Sequence, residues 1–378
     1  MRVLMLNYEF PPIGGGGANA NKYILKQFAD AEDLSIDLVT SSEDGADRTE
    51  AFAPNIMLHR LNVRKKALHY WTQAEVLRWL WRARGYVKKS LDLSSYDVCH
   101  AIFGFPSGMI AYLIRKRLPY IISLRGSDVP GFNQRFSAQY VILKPIFRRI
   151  WRKAAAVIAN SEGLRDLALE TDNVPIGVIP NGVDTDEFAP ADIFASPGPR
   201  VICVSRLIER KGIDFLIRAM PAVIEKHPQA TLSVFGEGNI EEELEELVRS
   251  LGLTGAVTLP GRIEHDELPA RYADADVFVL PSKNEGMSNT VLEAVASGLP
   301  VVGTTVGGNN VLVEEGRNGF LVEPESADAL ADAVLKIAAD GDGARAMGKR
   351  SREIAETMSW QAVADAYAAR YAEYAGRT

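Results

Sequence analysis

The stretch Val277–Val302, VFVLPSKNEGMSNTVLEAVASGLPVV, decides the fold. Val277–Leu280 is a short apolar run of the kind that forms a strand buried on both faces, and Pro281-Ser282 ends it. A polar loop, KNEGMSN, follows, and Thr290–Ser297 then repeats apolar residues at helical spacing. A second apolar run begins at Val301. Strand, loop, helix and strand in so short a span form a βαβ unit, which implies parallel strands joined by a right-handed crossover.

The same alternation occupies most of the chain, in two series. The first has candidate strands at Val3–Asn7, Ser35–Thr40, Met57–Leu61, Val98–Ile102, Tyr120–Leu124, Ala156–Ala159 and Val178–Ile179. The second has them at Arg200–Val204, Thr231–Phe235, Val257–Leu259, Val277–Leu280, Val301–Gly303 and Gly319–Val322. The Pro/Gly/Ala-rich stretch FAPADIFASPGPR, Phe188–Arg200, lies between them and reads as a linker. The expected architecture is α/β: two doubly wound parallel-sheet domains, residues 1–190 and 191–358. The terminal segment 359–376 places Trp360, Val363, Ala364, Tyr367, Tyr371 and Tyr374 near helical spacing and ends at Gly376. It is expected to pack back onto the first domain.

The composition of the 378 residues, 47% hydrophobic and 24% charged, is that of an ordinary globular protein, and the length suits two cores. No apolar run reaches the ~18–20 residues of a membrane span. MRVLMLNYEFPP reads as a first strand rather than a secretory signal. Cys99 and Cys203 show no metal spacing and suit a reducing cytosol, so a cytoplasmic location is expected. Residues 1–190 carry 24 Lys+Arg against 20 Asp+Glu, and residues 191–378 carry 18 against 29. A basic half beside an acidic half suggests different partners for each. Nucleic acid is not among them, because the net charge of −7 and the absence of an aromatic-basic strand pattern oppose it.

Ligands of open α/β sheets bind beyond the carboxyl ends of the strands. Arg206 and Lys211 follow the strand Arg200–Val204 there, and together they suit a diphosphate, the guanidinium forking two oxygens and the ammonium acting as a point charge. Taken alone, such a pair is as readily a solvated loop. Glu285 and Glu293 lie beyond Val277–Leu280, one before the helix and one within it. The unpaired N–H groups and the dipole of that helix favour an anion. Glu293 can accept from two ribose hydroxyls, and Glu285 can meet a sugar ring or a developing positive charge. The four residues together are less easily explained by surface chemistry than any one of them.

These residues resemble glycosyltransferase family 4. The resemblance covers nearly the whole chain, from EFPPIGGGG (Glu9–Gly17) through VIPNGVDTDEF (Val178–Phe188), SRLIERKG (Ser205–Gly212), FGEG (Phe235–Gly238) and GRI (Gly261–Ile263) to the paired glutamates. It implies the GT-B arrangement, two Rossmann-like domains facing across a cleft, and a retaining, metal-independent sugar transfer that needs no cofactor. Arg206 and Lys211 would bind the donor diphosphate, and Glu293 the ribose. Glu285, with the backbone of Gly286, Met287, Ser288 and Asn289, would hold the transferred sugar, the backbone around Arg262–Ile263 would meet the base edge, and Thr290 is a further donor-binding candidate. Arg206, Lys211 and Glu285 are the catalytic candidates. Arg206→Ala and Lys211→Ala are expected to lose most turnover while folding normally.

In the first half, Gly14–Gly17 lets backbone approach a phosphate or sugar, and Gly16 and Gly17 are donor-site candidates. The G-x-G-x-x-A spelled by Gly15–Ala20 is not a dinucleotide fingerprint, since Pro11-Pro12 separates it from its strand. His100 and Arg125 end two strands and are the acceptor-side candidates, although His100 is as readily a core histidine. The family usually has histidine where this chain has Ile102, and often where it has Arg125. Two segments mix aromatic and basic residues. Val76, Leu77, Leu80, Trp81 and Val87 mark one helical face, and Ile142, Leu143, Ile146, Phe147, Ile150 and Trp151 mark another. Core-facing helices are the simpler reading, and a peripheral contact with the inner face of a membrane through this domain is the functional one. Asp274-Ala-Asp276 spells a metal-binding D-x-D, but it precedes its strand and is not expected to bind metal.

The resulting expectation is transfer from a nucleoside-diphosphate sugar to a hydroxyl of a glycan or lipid-linked acceptor. A nucleotide-sugar 2-epimerase, or a non-catalytic sugar-nucleotide binding protein, would share most of these features.

Overall fold

Apolar runs too short to be helices become strands, and the amphipathic stretches between them become the layers that cover the sheets. The computed structural model describes residues 1–68, 70–132, 137–194, 197–285, 287–306 and 308–375, apart from the side chains of 137–139, 141 and 142. Gly286, Gly376 and the side chain of Ile142, all part of the reading above, lie outside what is described. The chain forms two units.

The first unit comprises β1 (Arg2–Leu6), α1 (Gly16–Gln27), β2 (Ser35–Ser42), β3 (Arg48–Ala53), β4 (Ile56–Asn62), α2 (Gln73–Ser90), β5 (Val98–Ile102), α3 (Ser107–Ile114), β6 (Tyr120–Leu124), α4 (Ser137–Arg152), β7 (Ala156–Ala159), α5 (Glu162–Thr171) and β8 (Ile176–Val178). The sheet order is β3-β4-β2-β1-β5-β6-β7-β8. All pairings are parallel except β3 on β4. The sequence reading misses β3 because RTEAFA has no apolar run. It is an edge strand, and its charged Arg48 and Glu50 suit an edge that must not pair further.

Helix α2 is the second departure. Its buried residues are Glu75, Trp79, Ala83 and Val87, whereas Leu77 is 59% exposed and Trp81 76% exposed. At 100° per residue, Trp79 and Trp81 point to opposite sides, and the core takes Trp79. Leu77 and Trp81 are therefore not core-facing. In α4 the expected face is buried at Phe147, Ile150 and Trp151.

The second unit comprises β9 (Arg200–Val204), α6 (Ile213–Lys226), β10 (Thr231–Phe235), α7 (Glu241–Ser250), β11 (Val257–Gly261), α8 (Leu268–Ala273), β12 (Val277–Leu280), α9 (Asn289–Ala296), β13 (Val301–Thr304), α10 (Asn309–Leu312), β14 (Gly319–Val322), α11 (Ala327–Ala338) and α12 (Gly341–Glu356). Its sheet, β11-β10-β9-β12-β13-β14, is parallel throughout. Side chains alternate between two cores. Val201, Cys203, Val277 and Val279 face one, and Ile202, Val204, Phe278 and Leu280 face the other. Strand order reverses between β9 and β12, so the crevice of this sheet opens beyond their carboxyl ends.

The stretch read as a linker belongs to the second unit. Phe188 and Ile193 are buried in its core. The Arg352 guanidinium donates to the carbonyls of Thr185, Phe188 and Ala296 at 3.0, 2.8 and 2.9 Å. The first unit ends at Asn181 and the second runs Gly182–Ser359, in place of a division at residue 190. Helix α13 (Trp360–Tyr374) then returns to the first unit. It buries Trp360, Val363, Ala364, Tyr367 and Tyr371 in the first unit's core, and Trp360 stacks on Tyr23 with centroids 5.2 Å apart.

Candidate active site

The loops after β9 and β12 meet at the reversal point. Beyond β9 the chain makes a short 3₁₀ turn, Glu209–Lys211, and Gly212 turns left-handed (φ 62°) to start α6. A Cβ on Gly212 would come within 2.3 Å of the Pro281 carbonyl oxygen, so glycine is what lets the basic loop lie against the end of β12. On its other side, a Cβ on Gly236 would come within 1.8 Å of the Ser205 carbonyl oxygen. The FGEG turn thus has a packing role beside Arg206. The Lys283 amide donates to the Arg210 carbonyl at 2.9 Å, and the Arg210 guanidinium donates to the Asn284 carbonyl at 3.3 Å.

Lys211 is buried, with Nζ 2.5 Å from Glu285 Oε2, and Ser282 Oγ donates to the same oxygen at 3.1 Å. Burial pushes the Glu285 carboxyl up, but the charge and hydrogen bond of Lys211, with Arg210 and Ser282, outweigh it and hold it below its ordinary value. A carboxylate held low stabilises the fold above its unfolded value, about 4.3, and loses that contribution as pH falls through the lower folded value. Glu285→Gln is therefore expected to flatten the acid limb of a thermal-stability profile of the second unit. Arg206 is exposed and makes no ion pair among the described residues.

Helix α9 begins beside this pair. Ser288 caps it, accepting from the Val291 amide, and also bonds Thr290 Oγ1 at 3.1 Å. Met287 is buried, and Asn289 is the first helical residue. Glu293 lies further along α9 with only 8% of its surface exposed. The Tyr272 hydroxyl donates to its Oε2 at 2.9 Å, and His265 Nε2 stands 3.6 Å from its Oε1. Ile263 is half-buried against the same core. The second unit thus carries the expected Arg206, Lys211, Glu285, Met287, Ser288, Asn289, Thr290 and Glu293 on the loops after β9 and β12 and on α9, with Ile263 on the loop after β11. Sequence reading did not single out Arg210, Ser282, His265 or Tyr272, whose roles come from contacts across elements rather than from spacing.

The remaining candidates lie in the first unit. Gly16 and Gly17 open α1, and a Cβ on Gly17 would press within 2.7 Å of the Phe103 ring. His100 has no exposed surface. Its Nδ1 meets the Tyr371 hydroxyl and its Nε2 meets Ser123 Oγ, both at 2.7 Å. Burial, then the charge of Arg125, lowers its pKa well below the ordinary histidine value. His100 is therefore a satisfied core histidine joining β5 to α13, not an acceptor-side ligand. Arg125 is half-buried and donates to Asn181 Oδ1 at 2.8 Å and to the Tyr367 hydroxyl at 3.3 Å.

Asp276 has no exposed surface and accepts from the Phe194 and Arg200 amides and from the Arg200 guanidinium at 2.5–3.0 Å. It is a clamp at the start of β12, and the D-x-D spelling has no part in the site. No group of three or more metal-ligating side chains occurs among the described residues.

Two doubly wound units, one with cations and paired carboxylates at its reversal point, define the GT-B class of sugar-transferring folds. Residues 14–187 match the family described as Glycosyltransferase Family 4, and residues 198–340 match Glycosyl transferases group 1. A D-inositol 3-phosphate glycosyltransferase of Corynebacterium jeikeium is 30% identical over 307 residues, 74% of this chain and 73% of that protein. A GDP-mannose-dependent α-(1-6)-phosphatidylinositol monomannoside mannosyltransferase of Mycobacterium tuberculosis is 36% identical over 212 residues, 52% of this chain and 54% of that protein. The chain thus spans only about half the length of that relative. Sucrose-phosphate synthase from Thermosynechococcus elongatus superposes with a TM-score of 0.83 at 25% identity, covering 99% of this chain and 98% of the other. The chain belongs to glycosyltransferase family 4.

Proposed function

We propose that this protein moves a sugar from a nucleoside-diphosphate sugar to a hydroxyl acceptor, with retention of anomeric configuration and without a metal. The observation that carries the reading is the buried Lys211–Glu285 pair beside the exposed Arg206, at the carboxyl ends of β9 and β12. Glu285 balances Lys211 across 2.5 Å. An ammonium has three donors, so Lys211 can keep Glu285 and still meet a phosphate oxygen, while Arg206 forks the diphosphate. As the glycosidic bond breaks, negative charge grows on the leaving diphosphate, where the two cations stabilise it. Glu285, beside Lys211, is the carboxylate that would face the sugar as positive charge develops on it. Among the described residues no side chain stands out as a base, so the departing phosphate takes the acceptor proton.

His100 was one of two groups an epimerase could have used, and its burial removes the main support for that alternative. The first test is a thermal-shift panel of nucleoside-diphosphate sugars. One or two donors are expected to raise the melting temperature, with sugar transfer following in the presence of chelator. No shift with any donor, or activity abolished by chelator, overturns the proposal.

We further propose a lipid-linked acceptor met at the inner face of a membrane by this cytoplasmic enzyme. No described helix is long and apolar enough to cross a membrane. The solvent-facing stripe of α2 carries Leu77 and Trp81 followed by exposed Arg84 and Lys88. Residues 51–153 hold 19 Lys+Arg against 4 Asp+Glu. Apolar side chains flanked by cations fit an anionic bilayer interface. Leu77→Ala with Trp81→Ala is expected to weaken binding to phosphatidylglycerol vesicles about 100-fold or more, from the ~1.5–3 kcal/mol each large apolar side chain contributes when buried. Equal binding to neutral and anionic vesicles would defeat the idea.

A further inference from the structure

Glu293 is held more firmly than a helix residue needs to be. Its Oε2 accepts from Tyr272, whose hydroxyl also lies 3.3 Å from the Thr290 carbonyl. Its Oε1 faces His265 Nε2 at 3.6 Å, an ion-pair separation. The other ring nitrogen, Nδ1, stands 3.4 Å from Glu187 Oε1. The ring packs edge-on against Phe188 with centroids 5.6 Å apart and planes at 89°. The imidazole is thus fixed between two carboxylates from different parts of the unit. Only a doubly protonated ring can donate to both at once.

A carboxylate offers about four lone-pair positions. Tyr272 takes one on Oε2, and His265 faces one on Oε1. One on each oxygen is left, which is the pattern a vicinal diol requires. We propose that His265 is a positioning residue for the donor ribose: with Tyr272 it fixes the plane of Glu293, so that two oxygens face the 2′- and 3′-hydroxyls together. This rests on the donor site proposed above. Glu187 and Glu293 are charged groups paired with the ring from other elements, and Glu264, Asp266 and Glu267 adjoin it in sequence. The pairing with Glu293, then with Glu187, raises the pKa of His265 against the effect of burial. The imidazolium therefore persists to higher pH than in a free histidine, and one carboxylate loses its donor once the proton leaves.

The test compares affinity for GDP and UDP with that for their 2′-deoxy forms, in wild type, His265→Phe, His265→Gln and Glu293→Gln. Wild type is expected to prefer the ribose form of whichever nucleotide it binds by about tenfold, since a buried acceptor left unmatched is costly. In His265→Phe, which keeps the ring contact with Phe188, the preference is expected to shrink to about twofold and donor KM to rise about tenfold with kcat little changed. The wild-type preference is expected to decline as pH rises from about 6 to about 8.5, and His265→Gln to show no such slope. If both His265 variants keep the wild-type ratio at every pH while Glu293→Gln loses it, the positioning role fails and the donor site stands. If Glu293→Gln also keeps the ratio, the ribose assignment falls, and His265 with it.

Discussion

Arg206→Ala is expected to lower turnover about 100- to 1000-fold, roughly 3–4 kcal/mol of transition-state stabilisation, while leaving the fold intact. The guanidinium is exposed and has no ion-pair partner among the described residues, so its removal costs the unit little. Lys211→Ala should lose at least as much activity, but it will not be structurally silent. Its ammonium is buried against Glu285 at 2.5 Å, and deleting one member of a buried pair leaves an uncompensated charge that costs roughly 3–5 kcal/mol. This revises the sequence-level expectation that both alanine variants fold normally. Lys211→Met with Glu285→Gln removes both charges and should recover much of the stability without recovering turnover. Steady-state rates beside thermal melts separate the two effects. Near-native rates in Arg206→Ala would refute the diphosphate assignment.

Asp276→Ala is expected to give the largest loss of stability outside the site. The carboxylate has no exposed surface and accepts four hydrogen bonds, two from amides and two from the Arg200 guanidinium. Alanine would strand those amides and leave Arg200 unpaired, a cost of roughly 3–5 kcal/mol. For a unit of this size that corresponds to a drop in melting temperature of roughly 10 °C. Asp276→Asn keeps one acceptor oxygen and should fall between. Divalent cations should rescue neither variant. An unchanged melt in Asp276→Ala, together with loss of activity on adding chelator, would return the D-x-D to consideration as a metal site.

The two series of parallel strands, and the loops that hold the proposed site, are legible in the local pattern of residues. Strands buried on both faces are uniform apolar runs, and the crossover helices between them repeat at a different period, so each βαβ unit is written within a few tens of residues. Arg206, Lys211, Glu285 and Glu293 stand at fixed places after β9 and β12, and topology alone then brings those loops together.

Which side chains meet is settled by the folded arrangement of the elements. Lys211 reaches Glu285 across 74 positions of chain, and His265 and Tyr272 reach Glu293 from a different helix or turn, so no local spacing records these contacts. The core chose Trp79 over Trp81, which a helix with aromatic residues on both sides leaves open. His100 was taken into the core because Ser123 and Tyr371, far apart in sequence, satisfy both of its nitrogens. Phe188 and Ile193 drew a Pro/Ala-rich stretch into the second core although its composition reads as a tether. Local periodicity fixes elements because it is a property of neighbouring residues; burial and pairing depend on what the remainder of the chain places opposite them.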